Sequence, residues 1–242
     1  MGVGLWQVGP DTPLGKFASE QFVWGTPLAA AFMLAVALAM GWRDLGFNAA
    51  RPAGSWRLLW LPMLLVLGFA STLVLLGRPV PGSILLIVAI NTFIVGFSEE
   101  LAFRGVMWGA ARKAMPFWGA FILVTFLFGI VHVLNGLMTG QFVEAGVQAL
   151  NAMMSGAAFL ALRIRTHSLI PVIILHWLWD LSVFAVGAGR EGPAAASDPL
   201  EQLTGGLMIV GPLALYGLYL IRNAKVREGW DDDKINDAIV KH

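Results

Sequence analysis

The chain of 242 residues contains no cysteine, which excludes disulfide staples, thiolate nucleophiles and cysteine-ligated metal. Charge is almost as scarce, with Asp, Glu, Lys and Arg together making up only 13%. An ordinary soluble domain carries about twice that share. Formal net charge is +1, so bulk attraction to nucleic acid is excluded as well. Only four histidines are present, and no His-Glu-x-x-His stretch of a zinc peptidase occurs among them.

What fills the chain instead is apolar: 57% hydrophobic residues and a mean hydropathy of +0.73. Seven apolar segments stand out, near Phe22–Met40, Trp56–Leu76, Ser83–Ala111, Phe117–Leu134, Ala145–Leu162, Leu169–Val186 and Leu203–Ile221. Lipid offers backbone amides no partner, so each segment is expected to be a helix. The expectation is an all-α, polytopic transmembrane bundle of about seven spans, forming a single transmembrane domain over 1–242. Alternating loops put Lys16, Arg78 and Arg190 on one side and the other thirteen Lys and Arg on the opposite one. The positive-inside rule then makes the second side cytoplasmic, with the carboxyl terminus there. Trp230 and the acidic run 231–233 read as an interfacial anchor and a solvated end.

Within this apolar chain Glu99 and Glu100 are conspicuous. Carboxylates at membrane depth are costly unless they are paired or line a wet cavity, so adjacent acids there mark a functional site by default. Arg104 follows Glu100 by four residues, in the favourable order for a helical ion pair. That assigns Glu100 and Arg104 to support and leaves Glu99, about 100° away around the helix, free for chemistry. A turn at Met115-Pro116 would send the next helix back antiparallel. Glu99 and His132 then lie at one depth, each roughly 24 Å from the turn. His176 and Asp180 share a helical face, so the carboxylate can accept one ring proton and leave the other nitrogen to act. His176 lies nearer its helix start, so a tilt, a kink or a late start is needed to bring it level. Asn91 and Asn151 suggest hydrogen bonds between helices, Gly105-x-x-x-Gly109 suggests close packing, and His167 and His242 carry no case.

Three spacings stand in order: Glu99-Glu100-x-x-x-Arg104, Phe128-x-x-x-His132 and His176-x-x-x-Asp180. With the contexts SEELAFRG over 98–105 and SLIPVIILHWLWD over 168–180, they resemble the CPBP family of intramembrane proteases, which includes the Rce-type CAAX prenyl endopeptidases and bacterial Abi-like proteins. The resemblance covers a catalytic core over 83–186. It implies an endopeptidase hydrolysing a peptide bond with a glutamate-activated water. Glu99 would be the general base, His132 would help hold the water, and His176 with Asp180 would stabilise the oxyanion. Glu100, Arg104 and Phe128 would support them.

The implied substrate is a lipidated or membrane-embedded peptide in contact with membrane lipid, with no nucleic-acid partner and no cofactor. The implied location is a bacterial inner (plasma) membrane, and the cavity is expected between the third, fourth and sixth spans, reached from the cytoplasmic half. Asp180 stands where the prenyl-protease branch has asparagine, and an ionised carboxylate cannot donate to an oxyanion. Asp180 is therefore expected to orient His176 or to stay protonated. Two other readings compete: a zinc-dependent membrane peptidase using the same side chains as ligands, and a non-catalytic immunity or peptide-binding protein.

Overall fold

The computed structural model describes residues 18–42, 45–75, 80–188 and 198–228. Lys16, Arg43, Leu76, Arg78, Arg190, Trp230, the acidic run 231–233 and His242 lie outside these residues. Six helices are long and apolar enough to cross a membrane: α2 (Ser55–Leu75), α3 (Gly82–Ala114), α4 (Phe117–Thr139), α5 (Phe142–Thr166), α6 (Ile170–Ala188) and α7 (Pro199–Leu220). They are preceded by a shorter apolar helix, α1 (Gly25–Ala39), and followed by α8 (Ala224–Glu228). No strand occurs among the described residues, and these elements account for all seven apolar segments.

Helix α1 has 15 residues, roughly 22 Å of rise, which falls short of a hydrocarbon core of about 30 Å. Its leading segment is tied to α3 by Asn91, whose Oδ1 accepts from the Val23 amide at 3.1 Å. The Asn91 amide nitrogen donates to the carbonyls of Ala18 and Gln21, each at 2.8 Å. One polar side chain in α3 thus satisfies backbone groups that lipid would leave bare.

Helix α3 is the opposite case. Its 33 residues rise roughly 50 Å, well beyond the bilayer core. It stops where expected, because Met115 is extended before Pro116 and α4 begins at Phe117. A proline disfavours helical geometry in the residue before it and suits the start of the next helix.

The depth mismatch of His176 is resolved by a late start to α6. The Leu169 amide donates to the Gly46 carbonyl at 2.7 Å, and the Leu169 side chain packs over Gly105, nine residues before α3 ends. The segment from Gly46 to Arg51 follows the α5–α6 turn: the Asn48 amide donates to the His167 carbonyl and the Arg51 amide to the Thr166 carbonyl. Gly105 is a close contact as expected, whereas Gly109 faces open space.

Arg51, Arg57, Arg112, Lys113, Arg163, Arg165, Arg222, Lys225 and Arg227 all fall at one end of the bundle. The described charges near the other end are acids: Glu20, Glu144, Asp198 and Glu201. Aromatic packing closes the basic half, where Phe117 stacks on Phe121 at 6.0 Å and meets Trp108 edge-on at 5.7 Å.

Candidate active site

The two acids sit at the junction where α3 changes from α-helix to a π-helical stretch, Leu101–Met107. Wide turns of this kind are rare and recur at functional sites, and this one has no sequence signature. Glu100 is fully buried and points into the bundle, while the Glu99 side chain keeps 27% of its exposure.

Glu100 Oε1 holds two partners. Arg104 Nη1 lies 3.1 Å away, the expected ion pair, and His176 Nδ1 lies 2.8 Å away from across the bundle. Arg104, also fully buried, donates from Nη2 to the Gly156 carbonyl at 3.1 Å and lies over the Phe128 ring, 3.8 Å from its centroid. A guanidinium sealed away from water therefore has a carboxylate, a carbonyl and an aromatic face as compensation.

The other nitrogen of His176 faces two acids. Asp180 Oδ2 lies 3.4 Å from Nε2 and Glu99 Oε2 lies 3.8 Å from it. This changes the expected division of labour. Glu100, rather than Asp180, holds the ring through Nδ1, and Asp180 shares the opposite nitrogen with Glu99. The cause is the crossing of α3 over α6 at Gly96, where an added Cβ would come within 3.2 Å of the Trp177 amide nitrogen. That approach carries Glu100 to the far side of the imidazole, and Trp177 Nε1 donates to the Ala89 carbonyl at 2.9 Å to hold it.

His132 lies in a 3-10 stretch, Val131–Asn135, within α4. Its Nδ1 is 2.8 Å from the Phe128 carbonyl oxygen. A carbonyl only accepts, so Nδ1 carries a proton and Nε2 is the ring nitrogen outside that bond. Phe128 thus explains its own place in the motif: the backbone orients His132, and the ring covers Arg104. Its ring also meets those of His132 at 5.2 Å and His176 at 6.1 Å, edge to face.

Glu99, His132, His176 and Asp180 all line one cavity of about 430 Å³, walled also by Met33 of α1 and Phe103 of α3. A second cavity of about 340 Å³ lies against α5 and α7, and His132, His176 and Asp180 belong to its wall too. His132, His176 and Asp180 therefore form a partition between two chambers, with Glu99 on the side of the first. Both chambers occupy the half of the bundle away from the Arg and Lys end, since their linings include Gly25, Met138, Glu144 and Gln202. Access was expected from the cytoplasmic half; if the positive-inside rule holds, the chambers lie in the opposite half, away from the basic end.

Sequence reasoning passed over Gly156. An added Cβ there would fall 2.6 Å from Phe128 Cδ1 and 3.2 Å from Arg104 Nη2, so only glycine lets α5 approach the buried arginine. Gln148, whose Oε1 accepts from Asn135 at 2.9 Å, was also overlooked, although it lines both cavities. Among the described residues no group of three or more His, Asp or Glu side chains has the arrangement to hold a metal ion.

Comparison with curated proteins and with solved structures gave no match. Residues 81–182, which run from the start of α3 through Asp180, match the family model described as type II CAAX prenyl endopeptidase Rce1-like. That segment contains all three motif pairs, and over it the chain is similar to the Rce1-like family.

Proposed function

We propose that the protein is an intramembrane endopeptidase in which Glu99 activates a water for attack on a peptide carbonyl. The observation that carries this reading is the cluster at His176 Nε2, where Glu99 and Asp180 lie within 4 Å on the wall of a cavity in an apolar bundle. Glu99 is the partly exposed member of the acid pair, and the buried Arg104 pairs directly with Glu100. A carboxylate so placed can take a proton from water, and His132 Nε2 on the same wall can accept the water's other hydrogen.

The oxyanion needs donors. With Nδ1 held by Glu100, a neutral His176 would turn a bare Nε2 lone pair towards Asp180, which is unfavourable between two acceptors. One proton must therefore lie between Nε2 and Asp180. Whichever atom bears it, this pair presents a donor to the cavity, and donors fixed in a poorly solvated site stabilise developing negative charge strongly. Arg104, behind Glu100, offsets one of the carboxylate charges and keeps that proton from being drawn to Glu100.

The substrate in this reading is a membrane-embedded or lipidated peptide, reached among lipids, and the chemistry needs no metal. Peptide termini in membranes from cells carrying wild type and Glu99→Gln test it. New termini present only with wild type support hydrolysis. Binding of peptides without cleavage by either form would favour a non-catalytic peptide-binding or immunity protein.

A further inference from the structure

Helix α5 carries a polar stripe that the three motif pairs do not use. Glu144, Gln148, Asn151 and Ser155 are spaced by four, three and four residues, which puts them on one helical face, and all four line the second cavity. Polar groups on a membrane helix are expected to bond a neighbouring helix. This stripe is only partly used in that way. Gln148 Oε1 accepts from Asn135, but Asn151 Oδ1 is buried and has no hydrogen-bond partner among the described residues. Space for the Asn151 amide is left by Gly206 of α7, where any Cβ would overlap it. Asn151 was expected to tie α5 to another helix, and its Oδ1 does not.

Resting on the protease reading above, we infer that the second cavity is the main-chain groove for the part of the substrate on one side of the scissile bond. The occupant is an extended polypeptide backbone whose amides and carbonyls bond Gln148 and Asn151. Three features argue for this occupant. The stripe runs eleven steps along the helix, from Glu144 to Ser155, roughly 16 Å, which matches about five residues of extended chain. Its inner end, Ser155, adjoins Gly156, whose carbonyl holds the arginine behind the catalytic partition, and Phe159 one turn on meets the His176 ring at 5.5 Å. A backbone leaving the groove therefore arrives at His176 and Asp180, and the first cavity takes the chain beyond them. Carboxamides both donate and accept, so they match alternating peptide groups and leave side chains largely unread. The groove accordingly confers affinity with broad sequence tolerance.

The experiment uses full-length protein in lipid nanodiscs and a degenerate pool of internally quenched decapeptides. Asn151→Leu, close to isosteric, raises KM about three- to tenfold with a smaller change in kcat, the loss expected for one or two hydrogen bonds. Its melting temperature is not lowered, because the native acceptor is unpartnered. Gln148→Met behaves alike in KM. An unchanged KM, or a lowered melting temperature with KM unchanged, overturns the groove and makes the stripe structural. If wild type cleaves nothing in the pool, the protease reading fails, and the groove is judged by anisotropy of a fluorescein-labelled decapeptide on Glu99→Gln protein. Weaker binding after adding Asn151→Leu supports the groove, and equal binding or none overturns it.

Discussion

Glu100 Oε1 lies 2.8 Å from His176 Nδ1, joining two buried side chains that are 76 positions apart in the chain. The same oxygen is 3.1 Å from Arg104, so a cation and an imidazole share one carboxylate atom. This arrangement separates the adjacent acids by function, and the separation can be measured. Glu99→Gln removes a partly exposed carboxylate with a 3.8 Å partner, so proteolysis is lost while the melting temperature stays near wild type. Glu100→Gln leaves Arg104 buried without a counter-charge and costs on the order of 3 kcal/mol in stability. Equal destabilisation by the two variants would contradict this division.

Phe128 joins the motifs physically, and its substitution should reveal that. Phe128→Leu keeps the carbonyl that orients His132 but removes the ring 3.8 Å from Arg104. A desolvated cation over an aromatic face is worth about 2 kcal/mol. Thermal unfolding of the variant in detergent should show a loss of that order, with turnover reduced at least tenfold through Arg104 and Glu100.

Gly156→Ala puts a methyl group against the same unit, 2.6 Å from Phe128 Cδ1. Overpacking of this kind costs roughly 1–3 kcal/mol. The expected result is reduced stability and activity together, whereas alanine at Gly146, which faces open space on the same helix, should be neutral. Parallel melting curves of the two variants check this.

What sequence made legible was local. The apolar runs marked the helices, Pro116 marked the hairpin, and the Glu100 to Arg104 spacing marked an ion pair that forms one turn apart. Contacts between helices were legible only as a set of residue types. The Glu100 to His176 bond depends on how α3 crosses α6 at Gly96, and no periodicity within either helix encodes that crossing. The late start of α6 depends on Gly46 meeting Leu169 from a distant loop. The π-helical stretch after Glu100 contains Gly105, but a lone glycine in a helical run does not specify a wide turn. The side of access was not legible, because charge bias reports which end faces the cytoplasm and nothing in it reports which end is hollow.

The metal question is open to a direct measurement. Both histidines of the site already have Nδ1 committed, His176 to Glu100 and His132 to the Phe128 carbonyl. Zinc would need both Nε2 atoms together with Glu99 or Asp180. Under the glutamate reading, turnover in nanodiscs is unchanged by a strong chelator, and zinc in purified protein is far below one per chain. Stoichiometric zinc with loss of activity on chelation would replace Glu99 by a metal-bound water as the source of the nucleophile.

Orientation in the membrane decides where substrate arrives, and the lack of cysteine makes it measurable without background. Lys113 and Glu201 are both exposed, the first at the end rich in Arg and Lys, the second at the end towards which both cavities extend. With cysteine placed singly at each, a membrane-impermeant maleimide should label Lys113→Cys only from the cytoplasmic side and Glu201→Cys only from the opposite side. That pattern would bring peptides to the catalytic partition from outside the cytoplasm or sideways from lipid. The reverse pattern would mean that nine clustered basic side chains fail to set the topology, and would open the cavities to the cytoplasm. Because both outcomes leave Glu99 at the same depth, the labelling separates the direction of substrate approach from the chemistry itself.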